Sequence, residues 1–375
     1  MYNGVAVVFS GGYQFLDPQN RKDKENLVQE LKAQGYTFIT TRNEFDSLNV
    51  TSTSLVWGLF APADLAYEID RDAKAEPSLA EMTQKAIEIL AKNKNGFFLM
   101  VEGSKIDWAA HANEPVALVH DILAFDKAVK VALDFAKGRK DTIVIIASDH
   151  GNSGITIGDK NTSSGYDKVP LNTFLAPLKA AKKSGYAFAS LVKEDKSNVQ
   201  EVLSTVYGIT DLTAEELELI KNTKLNANSG MSIIGQLVAR QAKLGFTTGG
   251  HTGEDVVLYV HAPAGVKKLG GTIQNTDIAW YIAEMFGINL YNATGALYNK
   301  PEDLFKAPGT VIETDTTYPN NLVLIIKTAG KELRFPVNKN YCFVNGKKTV
   351  LNGVTVYIAE TKSWYISEQS LGLLK

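Results

Sequence analysis

"FFLMVEGSKIDWAAHANEP" spans residues 97–115. Its first part, extended to "GFFLMVE" (96–102), is a continuous apolar run ending in a carboxylate. Such a run reads as a strand buried on both faces, as in a parallel sheet covered by helices. The second part places Asp107 and His111 four residues apart, one helical turn, so both side chains can reach a single ion.

Working outward, strands and helices alternate. "GVAVVF" (4–9) is β-rich and ends at Gly11 and Gly12. Residues 24–34 have helical spacing and stop at Gly35, and "YTFIT" (36–40) reads as a strand. Ser78 and Glu81 form a capping-box pattern opening a helix over 78–92. Residues 117–137 are a long amphipathic helix, and "DTIVIIAS" (141–148) is a second buried strand. This alternation predicts an α/β fold with a mostly parallel sheet between helical layers.

Residues 151–250 show a looser pattern, with helices predicted over 197–207 and 213–222. "DVVLYVHA" (255–262) is a strand and "NTDIAWYIAEMFG" (275–287) a capped helix. Past residue 310 short β-runs take over, and Asn345-Gly346 and Asn352-Gly353 are turn signals. The expected organisation is an α/β domain over 1–310 and a small all-β accessory module over 311–375. No internal repeat stands out.

Bulk properties bound the function. The 375 residues are 45% hydrophobic and 21% charged, enough for a substantial core. The net charge of −2 gives no general attraction for nucleic acid or anionic membrane. No run of apolar residues is long enough to span a membrane. Residues 1–12 do not read as a secretory signal. Cys342 is the only cysteine, so intramolecular disulfides are excluded and any zinc must take oxygen and nitrogen ligands.

Three separated segments put metal-type ligands beside strand ends: Glu102, Asp107 and His111; Asp149-His150; and His251 in "TTGGHTGEDV". Ligands of open α/β sheets bind outside the carboxyl ends of strands. Three of the five histidines fall in these segments. His120 and His261 read as a helix-face and a strand-end residue. Oxygen and nitrogen donors without thiolate suit zinc, and a carboxylate-rich neighbour suits magnesium.

"FFLMVEGSKIDWAAHANEP", "AFDKAVKVALDFA" (124–136), "TIVIIASDHG" (142–151) and "TTGGHTGEDV" (247–256), in that order, resemble the alkaline phosphatase family. "VVFSGG", "RKDKENLVQELKAQGYTFITTR", "EPSLAEMTQKAIEIL" and "NTDIAWYIAEMFG" fit the same family, and the likeness runs from residue 4 to 290. It implies a three-layer sandwich around a mostly parallel sheet. Asp107, His111 and His251 are similar to the ligands of one catalytic zinc, Asp149 and His150 to two ligands of a second, and Glu102 to a magnesium ligand. Trp108 stands at a position that can tune phosphate affinity in the family, or packs over the site.

The implied activity is hydrolysis of small-molecule phosphate monoesters through a phosphoserine, using two Zn2+ ions and Mg2+. The resemblance also implies a periplasmic or extracellular setting, and leaves a homodimer open. The family's nucleophilic serine lies upstream of the strand matched by "VVFSGG". So do an aspartate shared between the second zinc and magnesium, a magnesium-binding threonine and a phosphate-binding arginine. The chain as given is therefore expected to lack a catalytic nucleophile and to be aggregation-prone through open sheet edges. Asp46-Ser47-Leu48 mimics the motif superficially but follows the strand and "TTR" in the wrong order, Ser10 reads as a turn residue, and Ser153 lies near the metal-type ligands where family members often carry Thr-Gly-Gly. Two alternatives stay open: a non-catalytic metal-binding or interaction protein derived from the family, and a relative within the superfamily that transfers phosphate or sulfate.

Overall fold

A computed structural model of the chain describes residues 4–328 and 330–374. The chain divides into two compact units. One comprises Val7–Phe15 and Leu31–Gly270; the other gathers Leu16–Glu30 with Gly271–Lys375.

The first unit opens with a parallel sheet. β1 (Val7–Ser10) and β2 (Thr37–Ile39) both pair with the central β3 (Val56–Leu59). Helix α1 (Leu27–Ala33) precedes β2, and α2 (Arg42–Ser47) follows it. Phe45 of α2 packs edge-on against Phe9 and Phe60, with ring centroids 5.4 Å apart in both pairs. Gly58 makes this packing feasible, because a Cβ there would lie 2.7 Å from the Phe60 ring and 2.8 Å from that of Phe9.

Helix α3 (Leu79–Leu90) starts with the capping box expected from Ser78 and Glu81. α4 (Ser104–His111) and α5 (Pro115–Ala136) are joined by a tight turn with Asn113 at φ +54°. Glu114 caps α5 with its carboxylate, and Pro115 occupies the first helical position, where its missing N–H is not needed.

Two predicted strands come out differently. Residues 96–102 carry no strand ladder, and Phe98 and Met100 are largely exposed. Apolarity alone does not make a strand; a neighbouring segment must supply the other half of the hydrogen bonds. β4 (Val144–Ala147) forms as expected but is half-buried, not fully buried, and pairs antiparallel with β9 (Leu258–His261). Between them lie four short strands that form two antiparallel pairs. β5 (Gly151–Asn152) pairs with β8 (His251–Thr252), and β6 (Thr156–Ile157) with β7 (Leu244–Gly245).

The stretch read as looser holds five helices beside its short strands. α6 (Leu171–Ala180), α7 (Gly185–Leu191), α8 (Val199–Tyr207), α9 (Ala214–Asn222) and α10 (Ala227–Gln241) enclose a core of Phe188, Leu203, Tyr207, Ile209, Ile220, Ile234 and Val238. Val116 of α5 joins this core. These helices are mostly short, and α10 contains Gly230 and Gly235, which weaken the helical signal in any sequence window. Both glycines are used for close crossings. A Cβ on Gly185 of α7 would lie 2.7 Å from the Gly230 carbonyl oxygen.

The second unit holds α11 (Asn275–Met285), α12 (Leu290–Leu297) and α13 (Pro301–Leu304). Gly287, at φ +66°, lies just past the end of α11. An antiparallel meander follows: β10 (Val311–Asp315), β11 (Val323–Thr328), β12 (Lys331–Pro336), β13 (Tyr341–Val344) and β14 (Lys347–Val350). β15 (Val356–Ile358) pairs with β16 (Ser363–Tyr365). Asn345-Gly346 closes the β13–β14 hairpin with both residues at positive φ, +46° and +81°, as a two-residue primed turn requires. Asn352-Gly353 does not close a hairpin. It bends the chain between β14 and β15, where a Cβ on Gly353 would sit 3.1 Å from Leu297. Lys339, nearly buried, is held by Glu25 at 2.7 Å and Glu30 at 3.1 Å.

Candidate metal centre

Asp107 and His111 lie on α4, and His251 opens β8. Their ligand atoms all lie within 4.8 Å of one another. The helix sets the first pair, with His111 Nε2 3.5 Å from Asp107 Oδ1. Tertiary structure brings in the third, as the His111 and His251 rings are 5.1 Å apart. His111 Nδ1 lies 2.7 Å from the Gly249 carbonyl oxygen, which fixes the tautomer: Nδ1 carries the proton and Nε2 keeps its lone pair for a metal.

Asp107 is oriented as well. The Asn152 amide donates to its Oδ1 at 2.7 Å and to its backbone carbonyl at 3.3 Å. Sequence reasoning passed over Asn152; its place two residues after Asp149-His150 was the signal. Gly249 was also missed, because a backbone carbonyl leaves no mark on residue identity.

The other predicted ligands are distributed around this group. The His150 ring stacks on that of His251 at 3.6 Å and 20°. His150 Nε2 is 3.2 Å from Asp149 Oδ2, and Asp149 is exposed. Glu102 stands exposed one residue before Gly103, the N-cap of α4, outside the three-residue group. His120 bonds the Val116 carbonyl one turn back along α5, and His261 pairs with Val144 in the β4–β9 ladder.

Trp108 is about half exposed. The Lys105 ammonium lies 4.2 Å from its ring and 4.5 Å from that of Tyr67. Lys105 itself is nearly buried and ion-paired with Asp64. One face of the indole is therefore anchored by a cation–π contact. Among the serines weighed as nucleophiles, Ser153 is fully buried, Ser47 is tied to the Asn43 carbonyl on α2, and Ser10 ends β1.

Two carboxyls, Glu114 at the N-cap of α5 and Asp121 on that helix, are strongly perturbed. Burial pushes Glu114 up to about 8, reinforced by Asp70 and opposed by backbone N–H groups such as that of Ala117. Burial likewise pushes Asp121 up to about 7, with Glu68 and Asp70 adding to the shift against the Glu68 N–H and Lys105.

The donor set of one carboxylate and two imidazoles fits a zinc ion. A three-ligand centre of this kind suits metal-assisted hydrolysis.

The alkaline phosphatase family model matches residues 3–288. Alkaline phosphatase 4 of Bacillus subtilis is 38% identical over 277 residues, covering 73% of this chain and 56% of that protein. The repressible alkaline phosphatase of Saccharomyces cerevisiae is 33% identical over 329 residues, covering 77% of this chain and 58% of that protein. The crystal structure of the cold-active alkaline phosphatase from Shewanella sp. superposes with a TM-score of 0.63 at 28% identity, covering 75% of this chain and 65% of that one. That of Thermus thermophilus gives 0.66 at 25% identity, covering 76% and 63%. The chain thus spans little more than half the length of these two curated relatives, and the family model's match ends before the antiparallel meander begins. With a matching family model over most of its length and an alkaline phosphatase fold, the chain belongs to the alkaline phosphatase family.

Proposed function

We propose that this chain carries the metal-binding part of a phosphatase acting on small-molecule phosphate monoesters. The observation that supports it most is the convergence of Asp107, His111 and His251. In this reading these three residues hold one zinc ion, Asp149 and His150 contribute to a second, and Glu102 serves magnesium. Zinc bound there supplies Lewis acidity toward a phosphoryl oxygen. Asn152 holds Asp107 in its ligating pose, and the Gly249 carbonyl holds His111. Trp108, braced by Lys105, flanks the substrate side of α4. Residues 311–375 act as an accessory β module, and the family setting favours an exported protein and a homodimer.

A second reading, a metal-binding protein without turnover in this chain, is favoured by the serines. The Ser153 hydroxyl, which lies in the loop after His150, is fully buried. The 375-residue chain is accordingly expected to bind about one zinc tightly and to hydrolyse aryl phosphates no faster than its metal-free form. Elemental analysis and a chromogenic phosphatase assay on the purified chain test both statements. His251→Ala should remove most of the zinc. Equal zinc in that variant would refute the assignment, and metal-dependent turnover would refute the second reading.

A further inference from the structure

We propose that Gly235 on α10 is a positioning residue that sets the separation of His111 from His251, so that α10 acts as the spacer of the metal centre. The role in metal binding rests on the reading above; the spacing itself does not.

Contact comes first from the middle of the helix. A Cβ on Gly235 would lie 2.6 Å from the Asn113 carbonyl oxygen, 3.1 Å from its carbon and 3.2 Å from Glu114 Cα. The α10 backbone therefore presses on the turn two residues beyond His111. That turn has little room to retreat. Asn113 is in the left-handed region, its N–H donates to Ala110 at 2.9 Å, and the Glu114 N–H donates to Ala109 at 3.0 Å. The Glu114 carboxylate then accepts from Ala117 to start α5. Met231, one turn earlier on α10, packs in the same cluster as Ala109 and Ala110 of α4.

The chain leaving α10 reaches the other side of the centre. β7 pairs with β6, and the Thr247 and Thr248 N–H groups donate to the Ser153 carbonyl at 3.0 and 3.2 Å. The Ser153 N–H donates back to Gly250 at 3.0 Å. Gly249 then bonds His111, and His251 follows. All three ligand-bearing segments are thus tied either to α10 or to the strand and loop that continue it. Gly235 is where a single added methyl would push one histidine away from the other. The rival is that the short β5–β8 pairing alone fixes His251, in which case Gly235 matters only for stability.

The test compares Gly235→Ala with Leu203→Ala, a cavity variant in the helical core, in the 375-residue chain. Three quantities are read. They are the ring-proton contacts among His111, His150 and His251 by nuclear Overhauser spectroscopy without metal, the zinc affinity by chelator competition, and the visible spectrum of the cobalt-substituted chain. Gly235→Ala should alter the ring contacts, change the cobalt spectrum and weaken zinc about tenfold or more. Leu203→Ala should lower the thermal midpoint yet keep zinc affinity within about twofold. Equal losses in both variants, or unchanged ring contacts in Gly235→Ala, overturn the proposal. A parent chain that takes up no zinc refutes the metal reading alone, because the metal-free ring contacts still decide the spacing. Should Gly235→Ala fail to fold, Met231→Ala removes contact from the same helix without adding bulk and is read the same way. Changed ring contacts in it support the proposal and unchanged ones overturn it.

Discussion

The helical layer from α6 to α10 and the strands beside the candidate metal centre both draw on apolar residues but bury them to different degrees. In the layer, Phe188, Leu203, Tyr207 and Ile234 are fully buried. Around the strands, Phe98, Met100, Val257 and Tyr259 each keep about 60% of their surface exposed. The difference follows from where each element finds its hydrogen bonds. A helix satisfies its backbone internally and needs neighbours only for its apolar face. A strand needs a second segment before its backbone is satisfied, and a third and fourth layer before both faces are dry. β4 has one ladder partner, and residues 96–102 have none. Stability is therefore concentrated in the helices, while the strands beside the candidate metal centre are less fully covered.

The largest expected effect breaks the layer. Phe188→Ala should cost about 3–5 kcal/mol, because a fully buried aromatic leaves both a transfer loss and a cavity. Denaturant titration measures it, and a cost below about 1 kcal/mol would contradict the concentration of stability there.

Next comes pH. Glu114 and Asp121 are raised to about 8 and about 7, so between roughly pH 5 and 8 the folded chain keeps protons that the unfolded chain has released. Stability should fall across that window and level off above it. Thermal midpoints recorded from pH 5 to 9 check the sign. Glu114→Gln should flatten about half of the slope, leaving the part due to Asp121, and a midpoint that rises through the window would rule out a buried neutral Glu114.

A smaller effect sharpens the metal side. Asn152→Ala removes the donor that orients Asp107 and should weaken zinc about 10- to 100-fold, with little change in the helical layer. Chelator competition reads the first quantity, and far-ultraviolet circular dichroism the second.

The smallest effect belongs to the open strand region. Met100→Ser should change stability by no more than about 0.5 kcal/mol and should reduce self-association seen in size-exclusion chromatography. A loss of several kcal/mol would mean that residues 96–102 are packed in solution.

Much of this molecule could be read locally. The Ser78–Glu81 box and the Asn345-Gly346 hairpin depend on residues within a few positions, and each forms as its chemistry dictates. The Asp107–His111 pair belongs to the same class, since one helical turn brings the two side chains together whatever surrounds them. Identity and spacing along the chain therefore determined which donors are available and that two of them lie side by side. What the tertiary structure alone decided is the rest of the centre. His111 and Gly249 meet across 138 residues of sequence. Gly235 looks like a weak helix residue until Asn113 is seen against it, and "GFFLMVE" looks like a strand until its ladder partners are sought. In each case the deciding term is a contact between distant segments, and no window of sequence contains both sides of it.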